Sequence, residues 1–186
     1  MFTVKAQTVN IHADLIERAL HQDEAAQFEL YKKYSAAMYN TALRIVKNTA
    51  LAEDVLQEAF LSAFQSLVFY RGEASFGSWL KRIVVNKAIS ANRKESRIEF
   101  TDEPLSLEQV QESEEPDYDV DSVKRAIEKL PTGFRTVLTL YLLEGYDHKE
   151  IAEILDITES TSKTQYKRAK DKLKEILRRE EYDGKY

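Results

Sequence analysis

At 186 residues, with 43% hydrophobic and 32% charged side chains, the chain has apolar material for one folded domain or two small ones and too much for wholesale disorder. It has no cysteine, which excludes disulfides and thiolate metal sites, and its histidines (His12, His21, His148) are too far apart in sequence to form a metal-ligand spacing such as HExxH. The net charge is -5; no apolar run approaches the roughly 20 residues of a membrane span and the N-terminus lacks a secretory signal, so membrane insertion is not expected and a cytoplasmic location is.

Only five glycines and three prolines favour helices over a turn-rich β fold. Residues 1–23 form an N-terminal extension to which no element is assigned. From Phe28 to Val46, Phe28, Tyr31, Ala36, Tyr39, Leu43 and Val46 recur at helical spacing and predict a helix buried on that face. Asn48 and Thr49 break and restart the chain. Ala50 to Phe69 reads as a second helix, with Val55, Leu56, Ala59, Phe60, Ala63, Phe64 and Leu67 as a broad apolar face. "YRGEAS" is a loop, Ser75 is a plausible N-cap, and Phe76 to Arg93 is a third helix with Leu80, Ile83, Val84 and Ala88 inward. Val120 to Lys129 is a short helix. Pro131 suits the first turn of the next, which runs to about Leu143 and stops at Gly145. Asp147 opens a capping box with Glu150, "DIT" is a tight turn, and Thr158 caps a final helix to about Arg179. With no alternating strand pattern, the expected fold is all-α, with helical domains over 24–97 and 122–180, a linker over 98–121 and a tail over 181–186.

The net charge hides segregation. Residues 71–98 carry 7 basic and 2 acidic side chains, and residues 122–186 carry 14 and 12. Between them, residues 99–121 carry 10 acids and no base, with two of the three prolines, which reads as a flexible acidic tether.

Three polar surfaces stand out. On the second helix Glu53, Asp54, Gln57, Glu58 and Leu61 share one face. Early acids suit the helix macrodipole, and a compact acidic stripe with an exposed leucine also suits a basic partner. No nucleophile, pocket signature or metal ligand accompanies these carboxylates, so an enzyme is not expected. On the third helix Ser78, Arg82, Asn86 and Ser90 lie four residues apart, with Arg93 three further. Alone this reads best as a solvated face; beside "FYRGEASF" it also suits a single DNA strand. Trp79, at helical spacing with Leu80 and Ile83, reads as core. At the C-terminus two capped helices about three residues apart fit a helix-turn-helix. In the second of them Tyr166, Ala169, Leu173 and Ile176 form an apolar back, while Lys163, Thr164, Lys167, Arg168 and Lys170 lie largely off it, as a major-groove helix requires.

The stretches "AEDVLQEAFLSAFQ", "FYRGEASFGSWLKRIVVNKA" and "LPTGFRTVLTLYLLEGYDHKEIAEILDITESTSKTQYKRAKDKLKEIL" resemble regions 2 and 4 of bacterial sigma-70 family RNA polymerase sigma factors, in order over roughly residues 24–178. The direct tether, with no room for a region 3, resembles the extracytoplasmic-function group. The resemblance implies a subunit that directs core RNA polymerase to specific promoter DNA, with no cofactor or metal. It implies polymerase binding through Asp54, Gln57 and Glu58. It also implies recognition and opening of the -10 element through Ser75, Phe76, Arg82, Asn86, Lys87 and Ser90, and reading of the -35 element through Lys163, Thr164, Gln165, Lys167 and Arg168. An anti-sigma factor is the further partner it implies. Two positions depart from the family's pattern: Ser162 stands where an apolar residue is common, and Gln165 where arginine is. Gln165 points to a changed -35 preference, since glutamine can pair with adenine. The alternatives are a free-standing helix-turn-helix repressor or activator, which would bind duplex DNA tightly without polymerase, and a helical interaction module that needs no DNA.

Overall fold

The structure, a computed structural model, describes residues 11–95 and 119–183. Among the described residues all regular structure is helical, in two compact units, one within Met1–Ser96 and one within Arg97–Tyr186. Most of the segment expected to be an acidic linker lies outside the described residues.

The first unit comprises α1 (Ala13–Leu20), α2 (Glu24–Val46), α3 (Thr49–Ser66) with a closing 3-10 turn (Leu67–Phe69), and α4 (Phe76–Glu95). Short polar side chains at the joints set where helices begin. The Asp23 carboxylate accepts the Ala26 N–H ahead of α2, and the Asn48 side chain accepts the Leu51 N–H at 2.9 Å ahead of α3. Lys47 between them takes a left-handed φ of 59°, which ends α2. The core joins Leu30, Ala42 and Ile45 of α2 to Val55, Ala59 and Ala63 of α3 and Leu80, Val84, Ala88 and Ile89 of α4. The alanines let the three backbones approach. One buried polar contact completes the packing: the Asn92 side-chain amide donates to the Ile45 carbonyl at 2.8 Å, satisfying one of the last carbonyls of α2.

Two sequence expectations change here. The predicted buried face of α2 is only partly right: Val46 is buried and Tyr31, Tyr39 and Leu43 are half-buried, but Phe28 is 59% exposed and Ala36 is exposed, while Ala26, Leu30, Met38 and Ala42 are buried. Both faces of α2 carry apolar residues, and the one that packs is the one with smaller side chains; Phe28 instead lies under the Lys32 ammonium, 5.0 Å from the ring centroid. Helix α1 was not foreseen. Its eight residues bury only Ala19 completely, too few for a periodic signal, yet it packs on α2.

The second unit comprises α5 (Val120–Lys129), α6 (Thr132–Leu138) running on as a π turn (Thr139–Leu143), α7 (His148–Leu155) and α8 (Glu159–Asp183). Asp119 caps α5 by accepting the N–H groups of Asp121 and Ser122. Leu130 is extended, as the residue before Pro131 must be, and the chain restarts at once in α6. Residues 133–140 are buried without interruption, so α6 is a central helix. Leu130, Phe134 and Leu138 pack on Ala169, with Ile127, Leu173 and Ile176 around them. Arg135, 8% exposed, donates through Nη1 to the Leu130 carbonyl at 3.0 Å, and burial pulls its pKa below the ordinary guanidinium value. Gly145 (φ 79°) ends the π turn, and the expected capping box is complete: Asp147 accepts the Glu150 N–H at 2.8 Å and Glu150 accepts the Asp147 N–H at 2.9 Å.

Candidate nucleic-acid interface

The acidic face of α3 is outward. Glu53, Asp54, Gln57 and Glu58 are exposed and Leu61 is 61% exposed, while the intervening Val55, Leu56, Ala59 and Phe60 hold the helix to the core. Beyond it, the 3-10 turn presents two apolar side chains that sequence reading missed, Val68 (66% exposed) and Phe69 (76%). The tighter turn rotates them off the helical register that buries Leu67, which periodicity at 3.6 residues per turn could not show.

On α4, Ser78, Arg82, Asn86, Ser90 and Arg93 are all exposed along one line, while Val84, Val85, Ala88 and Ile89 face inward. Lys87 lies at the edge of that line, half-buried, with its Nζ 3.5 Å from Oε2 of Glu58. Asp54 and Glu58 of α3 and Asn86, Lys87 and Ser90 of α4 thus line one shared groove. The acidic and the polar stripe meet there.

The start of α4 is capped as expected, but its first residue is not where expected. Ser75 is the N-cap: its hydroxyl accepts the Ser78 N–H at 3.2 Å and lies 2.9 Å from the Ser78 hydroxyl. Phe76 was expected to touch DNA, but it is 1% exposed and its ring is enclosed by Tyr34, Tyr70 and Trp79 at centroid distances of 5.2, 5.9 and 5.7 Å. It anchors the loop from beneath because an aromatic ring gains more from burial than an exposed position returns. Trp79 is half-buried against Tyr70 at 5.2 Å, and the Tyr70 hydroxyl donates to the Ala74 carbonyl at 2.6 Å, bracing the loop that precedes the stripe.

In the second unit, α7 and α8 are joined by a short turn in which Asp156 takes a left-handed φ of 52° and the Ile157 N–H returns to the Ala152 carbonyl. Thr158 caps α8, its Oγ1 accepting the Thr161 N–H at 3.0 Å. Lys163, Thr164, Lys167 and Lys170 are exposed and Arg168 is half-buried. The Lys163 ammonium, 2.6 Å from Glu159, holds that carboxyl below its ordinary pKa. Gln165 is 1% exposed and packs within the unit, so its expected pairing with a base is overturned; it falls four residues before Ala169 on the same buried face. Ser162 is 0% exposed, so a hydroxyl occupies an interior position.

Among the described residues no group of three or more metal-ligating side chains is placed to hold an ion, and no helix is long and apolar enough to cross a membrane.

Two family descriptions match the chain: Sigma-70 region 2 over residues 30–98 and Sigma-70, region 4 over residues 121–173. The RNA polymerase sigma factor SigV of Bacillus subtilis is 31% identical over 131 residues, covering 70% of this chain and 78% of SigV. The RNA polymerase sigma-H factor of Pseudomonas aeruginosa is 29% identical over 180 residues, covering 88% of this chain and 92% of that protein. The ECF RNA polymerase sigma factor SigW of Bacillus subtilis is 29% identical over 177 residues, covering 88% and 95%. Among solved structures, the sigma factor RpoE in complex with the anti-sigma factor NepR from Bartonella quintana shares the fold, with a TM-score of 0.56, 22% identity and coverage of 81% of this chain and 95% of that one.

Proposed function

The chain belongs to the extracytoplasmic-function group of the sigma-70 family of RNA polymerase sigma factors, and from that premise we propose how its surfaces divide the work of promoter recognition. The observation that carries the proposal is the placement of three exposed polar stripes on two separate helical units, each stripe on a helix whose opposite side is core.

Asp54, Gln57 and Glu58 on α3 dock a basic surface of core RNA polymerase. Arg82, Asn86, Lys87 and Ser90 on α4 hold the opened -10 strand, with hydroxyl and amide groups to accept or donate and cations for phosphates. Ser75 and Phe76 act indirectly, fixing the first turn of α4. Lys163, Thr164, Lys167 and Arg168 on α8 read the -35 element from the major groove, and Gln165 supports them from the packed side. The work is binding and positioning and not catalysis, carried out in the cytoplasm where polymerase and promoter DNA are. An anti-sigma factor is the further partner.

The test is transcription in vitro from a library of genomic fragments with core polymerase, with and without the purified chain. Transcripts from selected start sites that appear only when the chain is present are the expected result; none from any fragment would overturn the proposal.

A further inference from the structure

We propose that His148 and Ser162 form a joint that sets how α8 presents its DNA-facing side chains, making them positioning residues for -35 selection; the proposal rests on the reading of α8 given above. Ser162, the fourth residue of α8, is fully buried, and its Oγ lies 2.9 Å from Nδ1 of His148, the first residue of α7. This hydrogen bond ties the two arms of the helix-turn-helix together at their N-terminal ends. On its other side the His148 ring stacks on Tyr141 of the π turn, with centroids 4.6 Å apart and planes inclined by 20°. Tyr141 in turn meets Tyr166 of α8 at 4.5 Å, and His148 meets the Tyr166 ring edge-on at 5.5 Å. One imidazole therefore touches α8 at two points a turn apart and fixes both against the helix before it.

The consequence is directional. Apolar packing holds a helix in a groove but tolerates small rotations and slides, whereas a hydrogen bond has a preferred length and angle. Ser162 immediately precedes Lys163, with Thr164 next, and Tyr166 immediately precedes Lys167. A rotation of α8 that the joint forbids would carry all three exposed side chains away from their places together. A hydroxyl at a fully exposed position would need no protein partner; at 0% exposure it needs one, and His148 provides it.

The experiment uses the full chain with core polymerase and a set of promoters carrying every single-base change in the -35 element and, separately, in the -10 element. Unaltered protein is compared with Ser162→Ala, His148→Ala, the double variant and His148→Asn, whose amide can reach the place of Nδ1. The proposal expects each single alanine variant to flatten the -35 preference by about fivefold to tenfold, the effect of misplacing one good base contact. The double variant is expected to be no worse than either single one, and His148→Asn to recover much of the preference. Discrimination among -10 changes stays as it was, and the helical circular-dichroism signal is retained. His148 is half-exposed at a helix start, so His148→Ala gives the answer if Ser162→Ala does not fold. Equal loss of output on every -35 sequence, additive effects in the double variant, or an unchanged preference would overturn the joint alone. Absence of any -35 preference in the unaltered protein would overturn the reading of α8 and the joint with it.

Discussion

Single side chains in this protein act mostly by satisfying backbone groups that helix ends leave open. Asn92 reaches from α4 to the Ile45 carbonyl in a buried position, so Asn92→Ala leaves that carbonyl without its partner. The expected loss is about 1–3 kcal/mol of stability, read as a lower urea midpoint with an unchanged slope. The caps also carry a pH signature. Donation from the Ala26 N–H and from Arg18 lowers the Asp23 pKa, and the Ser122 hydroxyl and N–H, with the Asp121 N–H, lower that of Asp119. A depressed folded pKa means stabilisation that is present above the ordinary aspartate value and lost as the pH falls through the depressed one. Amide shifts of Ala26 and Ser122 followed by NMR should therefore titrate with midpoints below that of a free aspartate; midpoints at or above it would contradict the capping account. Capping was legible in the sequence because it depends on residue type and spacing over four positions, and Asp147 with Glu150 shows this. The interior place of Ser162 was legible from the resemblance, which has an apolar residue there, while those of Phe76 and Gln165 were not. An aromatic beside a loop, or an amide on a charged helix, looks exposed until the neighbouring elements are set around it.

For whole helices, periodicity was informative where one face is plainly apolar and misleading where both are. The stripes on α3 and α4 lie outward as their spacing predicted, because each has a continuous row of small or branched apolar residues behind it. Helix α2 has apolar residues on two sides, and its packed face was only partly assigned. The function of α3 should respond to charge and not to stability. Asp54→Lys with Glu58→Lys is expected to slow association with core polymerase by about tenfold at low salt, with the effect shrinking as salt rises. Both residues are exposed, and the Glu58–Lys87 contact of 3.5 Å is a surface pair worth about 1 kcal/mol or less, so the thermal midpoint should move little. Stopped-flow fluorescence separates the two effects. For α8, Lys167→Ala in the holoenzyme is expected to weaken promoter binding and reduce the slope of log affinity against log salt by about 1, the signature of one lost phosphate contact. An unchanged slope would remove Lys167 from the interface.

Taken as a whole, the molecule is acidic while two of its helices carry cationic faces. With 10 acids and no base in residues 99–121, the net charge says little about the surfaces that meet DNA. A chain of net charge -5 has little attraction of its own for a duplex at physiological salt, and its cationic stripes are short. Binding strength must then come from the assembly with polymerase, and the chain contributes selection. The most direct measurement is fluorescence anisotropy of one labelled promoter duplex at physiological salt, titrated with the chain alone and with the chain bound to core polymerase. The chain alone should fail to saturate the duplex at about 1 µM, in the range of non-specific contacts, while the holoenzyme binds far more tightly and loses that gain when either the -10 or the -35 element is changed. Tight, sequence-selective binding by the chain alone, unaltered by polymerase, would contradict the account.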